Sequence, residues 1–156
     1  MEKKRVAVRL EGAPLAEVVA ERQAVKQALG VMLQIALDDP EPGAVVVASV
    51  ARQAEKGVAV AVRDAGRGLS LEDVPPELLA LTPALRSCVG DGSGLSGAGG
   101  EVSSSPRAVR LSLAASLSRL VGARFSLDGG PARGETMAMT FRPGALSAPA
   151  RRARAA

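Results

Sequence analysis

A helical stripe followed directly by two valine-rich runs constrains the fold of this chain more than any other feature. Apolar residues recur over residues 21–37 at the three- and four-residue spacing of one helix face. The members of this stripe are Val25, Leu29, Met32, Leu33 and Ala36. Residues 44–50 and 58–62 are valine-rich and surround a polar stretch, which predicts a hairpin. The chain therefore combines a helix with antiparallel strands.

A second long helix is predicted in the other half of the chain. Ser105 can cap its N-terminus, Pro106 suits its first position and Gly122 can end it. The residues predicted to face the core from this helix are Val109, Leu113, Leu117 and Leu120. Residues 123–128 and 135–142 predict a closing hairpin.

The start of the chain completes the order of elements. Residues 6–10 alternate in the two-residue period of a half-buried strand, and residues 15–20 are predicted to be a second short extended piece. The order β, α, ββ, loop, α, ββ predicts an α+β fold, a two-layer sandwich with helices on one face of a mixed sheet. We expect residues 1–143 to form this domain and residues 144–156, rich in Ala, Pro and Arg, to form a flexible tail.

Composition excludes several classes of function. The sequence has no histidine and a single cysteine, Cys88, which excludes histidine-based nucleophile systems, disulfide scaffolds and zinc modules. With two phenylalanines and no Trp or Tyr, it lacks stacking platforms for single-stranded nucleic acid. The formal charge is +4, of which Arg151, Arg152 and Arg154 supply three. We therefore expect no nucleic-acid partner. No apolar run approaches the ~18 residues that span a bilayer, so we expect a cytoplasmic domain without direct membrane insertion.

Glycine-rich segments raise three alternatives for a nucleotide site. Residues 92–97 satisfy G-x-G-x-x-G, but no strong strand leads into them and no helix follows directly, so the dinucleotide signal is weak. A Walker-type phosphate loop is excluded because every lysine lies upstream of this segment. The protein-kinase motif set needs a histidine-bearing catalytic loop, which this sequence cannot provide.

Asp64, Gly66 and Gly68 follow the second valine-rich run and support a different nucleotide site. A carboxylate at the end of a strand can accept a hydrogen bond from the exocyclic amino group of adenine. The two glycines allow a base to approach the backbone closely. These three residues therefore predict the binding of an adenine nucleotide.

With this D-x-G-x-G box in its place, the chain resembles the catalytic and ATP-binding domain of sensor histidine kinases, a member of the GHKL superfamily that also includes gyrase. The resemblance covers nearly the whole chain and rests on the order of elements and on residues 21–29, 64–68, 111–117 and 140–143. It implies the Bergerat-type ATP-binding fold, ATP and Mg²⁺ as cofactors, and transfer of the γ-phosphoryl group to a histidine.

This sequence departs from the family pattern at the metal site. Val31 and Ile35 stand where the family has two asparagines, the second of which holds Mg²⁺. Asp38 and Asp39 lie about one helical turn beyond Ile35 and offer hard oxygen ligands, so we predict them as the metal-binding residues.

A second departure concerns the phosphates. The G-x-G at the start of the family's last helix becomes residues 108–110, and we predict that Arg107 and Arg110 contact the phosphates in its place. The glycine-rich segment 90–100 lies between the box and this helix, which predicts a mobile ATP lid. The lid residues predicted to bind nucleotide are Gly92, Gly94 and Gly97.

The resemblance implies the catalytic domain of a two-component system. Because the sequence has no histidine, the phosphoacceptor would lie in a histidine-bearing dimerisation domain elsewhere in a longer protein, and a response regulator would be the further partner. Two alternatives stay open. One is a pseudokinase that senses nucleotide or only mediates interactions. The other is a small anti-sigma-type serine kinase of the same superfamily.

Overall fold

The computed structural model describes residues 6–12, 16–38, 40–53, 57–66, 68–70, 73–79, 105–129 and 134–143. The strands are β1 (Ala7–Gly12), β2 (Val45–Gln53), β3 (Gly57–Arg63), β4 (Ala123–Gly129) and β5 (Glu135–Phe141). The helices are α1 (Arg22–Leu37), α2 (Pro76–Leu79) and α3 (Pro106–Leu120). None of the helices in these residues is long and apolar enough to cross a membrane.

The five strands form one mixed sheet in the order β1-β2-β3-β5-β4. β1 pairs with β2 in parallel, and the other neighbours are antiparallel, so both predicted hairpins are confirmed. α1 contacts β3, α3 contacts β4, and the two helices contact each other. The strand residues buried beneath them, among them Val46, Val62, Met137 and Phe125, share one face of the sheet by register. The predicted α+β sandwich with helices on one face is therefore confirmed.

Local capping signals explain where the two long helices begin. Glu21 caps α1, because its carboxylate accepts hydrogen bonds from the backbone N–H groups of Gln23 at 2.9 Å and Ala24 at 2.6 Å. Both bonds lower the pKa of Glu21 below its usual value, and the bond from Gln23 has the larger effect. Ser105 caps α3 as predicted, with its hydroxyl accepting from the Ala108 N–H at 3.1 Å.

The predicted core face of α3 is wrong for three of its four residues, and only Leu117, which is partly buried, packs against the core. Val109, Leu113 and Leu120 are 60%, 46% and 74% exposed. The buried residues of α3 are instead Ala108, Leu111, Ala114, Ala115 and Ser118. Because most of these side chains are short, they pack α3 close against its neighbours, and the larger side chains remain on the outer surface.

The apolar stripe predicted on α1 is only partly correct. The buried residues of this helix are Ala24, Ala28, Met32, Ile35 and Ala36. Val25, Leu29 and Leu33 pack against the core but are only partly buried. The core face is thus rotated toward the small alanines, which again favours a close approach of the two long helices.

β1 lies where the alternation predicted it, but it is not half-buried. Val8 is 53% exposed and Leu10 is 83% exposed. Val8 pairs with the buried Val46, so both side chains lie on the helix side of the sheet. Val8 and Leu10 are exposed because β1 is an edge strand, whereas α1 contacts the central strand β3. Residues 16–20, predicted to be extended, form no strand and lead into α1.

Candidate nucleotide site

Charged side chains from four separate parts of the chain meet at one end of the sandwich. They come from the C-terminal ends of α1 and β3 and from the N-terminal ends of α3 and β5, and hydrogen bonds or ion pairs connect these elements. The residues are Asp38, Asp64, Arg107, Arg110 and Glu135. Four of these five are residues that the sequence predicted for the site, and Glu135 is new.

Asp64 is held firmly at the end of β3 and is only 7% exposed. Its carboxylate oxygen Oδ1 accepts hydrogen bonds from the backbone N–H groups of Glu135 at 3.0 Å and Gly66 at 3.2 Å. In return, the Asp64 backbone N–H donates to the Glu135 carbonyl at 3.0 Å. The other oxygen, Oδ2, receives no hydrogen bond from the described residues. Within the described ranges, Asp64 therefore presents one oriented acceptor that no donor uses.

Two glycines near Asp64 have backbone conformations that other residues rarely adopt. Gly68 has φ +81° and Gly134 has φ +72°. A Cβ at residue 134 would lie 2.3 Å from the Asp64 carbonyl oxygen, so β5 can approach Asp64 only because this position is glycine. At Gly66, in contrast, an added Cβ would lie 3.6 Å from Asp64 Oδ1, which is an ordinary contact.

Arg107 and Glu135 form a buried ion pair beside Asp64, joined through Arg107 Nη2 and Glu135 Oε2. Their side chains are 14% and 0% exposed. Burial raises the pKa of Glu135 to about 7, and the attraction of Arg107 only partly opposes this effect. For Arg107, burial alone would lower the pKa, but the Glu135 carboxylate outweighs it and the pKa is raised.

The same ion pair leaves two buried polar atoms without a hydrogen-bond partner among the described residues. They are Arg107 Nε, a donor, and Glu135 Oε1, an acceptor.

Sequence reasoning missed Glu135. The signal was nevertheless present, because residue 135 is acidic and shares the two-residue alternation of Met137, Met139 and Phe141, which are all buried.

Arg110 pairs with Asp38 at the edge of the site, where the two side chains are 36% and 50% exposed. Asp39 lies outside the described residues. Within the described ranges, no three His, Cys, Asp or Glu side chains are grouped to hold a metal ion, and Ile35 is 1% exposed in the core. The described residues therefore show no group of ligands for Mg²⁺, and the metal role of Asp38 and Asp39 stays a prediction.

Two further predictions fall outside the described residues. One is the glycine-rich segment 90–100, with Gly92, Gly94 and Gly97 of the predicted nucleotide site, and the other is the flexible tail 144–156. Arg107 and Arg110 lie at the start of α3, as predicted, and at the same end of the sandwich as Asp64, and their contact with phosphates stays a prediction.

Comparison with known proteins gives matches in structure but not in sequence. No protein-family model and no curated protein matches the chain. The catalytic domain of the histidine kinase ThkA, nucleotide free, superposes with a TM-score of 0.57 at 14% identity over 88% of this chain and 79% of that chain. Full-length ShkA in complex with AMPPNP superposes with a TM-score of 0.64 at 16% identity over 92% of this chain.

A blue-light activated histidine kinase of Erythrobacter litoralis matches with a TM-score of 0.55 at 14% identity over 88% of this chain. The chain spans 35% of the length of that kinase and 27% of the length of full-length ShkA. The fold of this chain is thus the fold of histidine-kinase catalytic domains, and the resemblance noted in the sequence is confirmed at the level of the fold.

Proposed function

We propose that this chain is the ATP-binding catalytic domain of a two-component histidine kinase. The observation that carries the proposal is the unused acceptor of Asp64, a nearly buried carboxylate whose Oδ1 is held by two backbone N–H groups while Oδ2 receives no bond from the described residues. Such an oxygen suits the exocyclic amine of adenine. The fold adds support, because ShkA, which shares it, is described in complex with the nucleotide AMPPNP.

The proposed reaction transfers the γ-phosphoryl group of ATP to a histidine that lies outside these 156 residues, since the sequence contains none. The bond from the γ-phosphorus to its bridging oxygen breaks and a bond to the histidine nitrogen forms, with ADP as the leaving group. A histidine-bearing dimerisation domain and a response regulator are the partners of this proposal, and the cytoplasm, which supplies ATP, is its compartment. The chain itself would hold the base and position the phosphates.

Arg110 is the residue best suited to contact the phosphates. Its side chain is 36% exposed, and it is paired with Asp38, which is more exposed still. A guanidinium in such a pair can exchange its carboxylate for a phosphate at little cost. Arg107, in contrast, is tied to the buried Glu135.

One observation favours a second candidate, a pseudokinase that senses nucleotide without turnover. Val31 and Ile35 are apolar where the family has two asparagines, the second of which holds Mg²⁺, and no described residues supply a substitute metal site. Radiolabel from γ-labelled ATP distinguishes the two candidates. Mg²⁺-dependent transfer to the histidine-bearing segment of the complete protein at saturating ATP supports the kinase, and its absence supports the pseudokinase.

Replacement of Asp64 by asparagine tests the nucleotide site. The carbonyl of the new amide would still accept the two backbone N–H groups, but its nitrogen would present donors to the adenine amine. We expect Asp64→Asn to weaken ATP binding in calorimetry by about 1.5 to 3 kcal/mol, the range for a hydrogen bond to a charged group. Asp128→Asn, at an exposed carboxylate on β4, is the matched control. Equal ATP affinity of the Asp64 variant and the unmodified chain would remove Asp64 from the site.

A further inference from the structure

The backbone bonds between Asp64 and Glu135 bring two carboxylates to one place. The Asp64 N–H donates to the Glu135 carbonyl, and the Glu135 N–H donates to Asp64 Oδ1, both at 3.0 Å. Val62 and Met137 are paired in register and both are buried, so the residues two positions along, Asp64 and Glu135, project to the same helix-covered side. The two side chains are therefore neighbours in one layer.

Within the described residues, one polar side-chain atom of each of Asp64, Arg107 and Glu135 makes no hydrogen bond. Glu135 Oε2 is paired with Arg107, but Glu135 Oε1 and Arg107 Nε are buried without a partner in the part of the chain that the structure describes. Buried acceptors and donors are normally paired, and an unpaired one is unfavourable by about 1 to 3 kcal/mol. Together with Asp64 Oδ2, the cluster offers two acceptors and one donor.

A ligand group that matches these two acceptors and one donor carries two N–H donors and a nearby acceptor. The exocyclic amine of adenine carries two hydrogens and is flanked by ring nitrogens that accept hydrogen bonds. One hydrogen would go to Asp64 Oδ2, and the second would find Glu135 Oε1. A ring nitrogen would take the Arg107 Nε–H.

We propose that Glu135 is a second base-reading residue, whose free carboxylate oxygen accepts the second hydrogen of the adenine amine while Asp64 accepts the first. This inference rests on the proposed function, because it assumes that the purine binds at Asp64. It makes the site selective for an unsubstituted 6-amino group, since both hydrogens are used.

The ligand pair ADP and N6-methyl-ADP tests this use of both hydrogens. Calorimetry on the 156-residue chain is expected to show N6-methyl-ADP binding at least about tenfold more weakly than ADP, the effect of losing one hydrogen bond to a charged acceptor. In Glu135→Gln, the amide keeps an oxygen for Arg107, and the penalty for methylation is expected to fall below about threefold. Glu77→Gln, at an exposed carboxylate bonded to Ser112, is the matched control and should keep the full penalty.

Each contrary outcome has one meaning. If the unmodified chain binds ADP and N6-methyl-ADP equally well, Glu135 does not read the amine. If Glu135→Gln keeps the full penalty, the methyl group is excluded by shape and the proposal is likewise overturned. In either case, a loss of ADP binding in Asp64→Asn would leave the proposed function standing. Failure of the unmodified chain to bind ADP would overturn both.

A second readout needs no variant. A carboxylate that accepts an N–H bond is favoured in its ionised form, so adenosine binding should release a proton from Glu135 near pH 7. The charged groups that act on Glu135 are Arg107 from α3, Asp64 after β3 and Asp73 before α2. Adenosine carries no titrating phosphate, so calorimetry in two buffers of different ionisation heat measures this proton directly. Binding without proton release at pH 7 would contradict the proposal.

Discussion

Arg107 and Arg110 lie three residues apart at the start of α3, and each pairs with a carboxylate from another element, yet the two pairs differ in burial. In the Arg107 and Glu135 pair the side chains are 14% and 0% exposed, whereas in the Arg110 and Asp38 pair they are 36% and 50% exposed. Water hydrates the charges of Arg110 and Asp38 whether the two side chains are paired or separated. The buried pair has no such substitute, so one arginine is fixed and the other is free to exchange its partner.

The largest expected effect follows from breaking the buried pair. Arg107→Ala leaves the Glu135 carboxylate buried without its cation, so we expect the free energy of unfolding to fall by about 3 to 5 kcal/mol at pH 8. Urea denaturation measures this change. Replacing both partners, as in Arg107→Met with Glu135→Leu, should lower the free energy of unfolding less than Arg107→Ala does, because no charge is then left buried. A loss for Arg107→Ala no larger than for Arg110→Ala would show that the two pairs are equivalent.

The next effect concerns pH. Burial raises the pKa of the Glu135 carboxyl from 4.5 to about 7. Between these two pH values the folded protein keeps a proton on Glu135 that the unfolded chain releases. The stability that this proton provides, up to about 3 kcal/mol, is fully present below pH 4.5 and is lost as pH rises through 7. Urea denaturation between pH 5 and pH 8 should therefore show a decline that Glu135→Gln removes. An equal decline in that variant would assign it to other groups.

The smallest effect belongs to the exposed pair. Arg110→Ala and Asp38→Ala should each change the free energy of unfolding by about 0 to 1 kcal/mol, and less at high salt. Arg110→Ala should nevertheless weaken ATP binding while adenosine binding stays unchanged, because in the proposed site only the phosphates meet the guanidinium. Arg119→Ala, at an exposed arginine on the same helix, is the control. Equal weakening of ATP and adenosine would contradict a phosphate contact at Arg110.

Features that depend on local physics could be predicted from the sequence. The Ser105 cap and both hairpins are set by neighbouring residues, and all three are confirmed. Asp64 could be singled out because it directly follows a valine-rich strand and is followed by Gly66 and Gly68, and its role in binding adenine stays a prediction. The class of fold followed from the order of these elements.

Features that depend on distant partners could not be predicted. α3 carries apolar residues on two sides, and the side that is buried is the one whose short side chains, such as Ala108 and Ala115, fit against the rest of the core. Pattern alone favoured the larger Leu113, which is 46% exposed. Likewise, the pairing of Glu135 with Arg107 joins β5 to α3, and no spacing within either element indicates it.

The geometry of the site depends on Gly134 as well as on the carboxylates. A side chain at this position would meet the Asp64 carbonyl oxygen at 2.3 Å, so β5 would have to move, taking with it the Glu135 N–H that holds Asp64 Oδ1. A descendant of this protein could thus keep Asp64 and its two glycines and still lose the hydrogen bond that orients the Asp64 carboxylate. When related chains are compared, the glycine that precedes β5 is as informative as the aspartate.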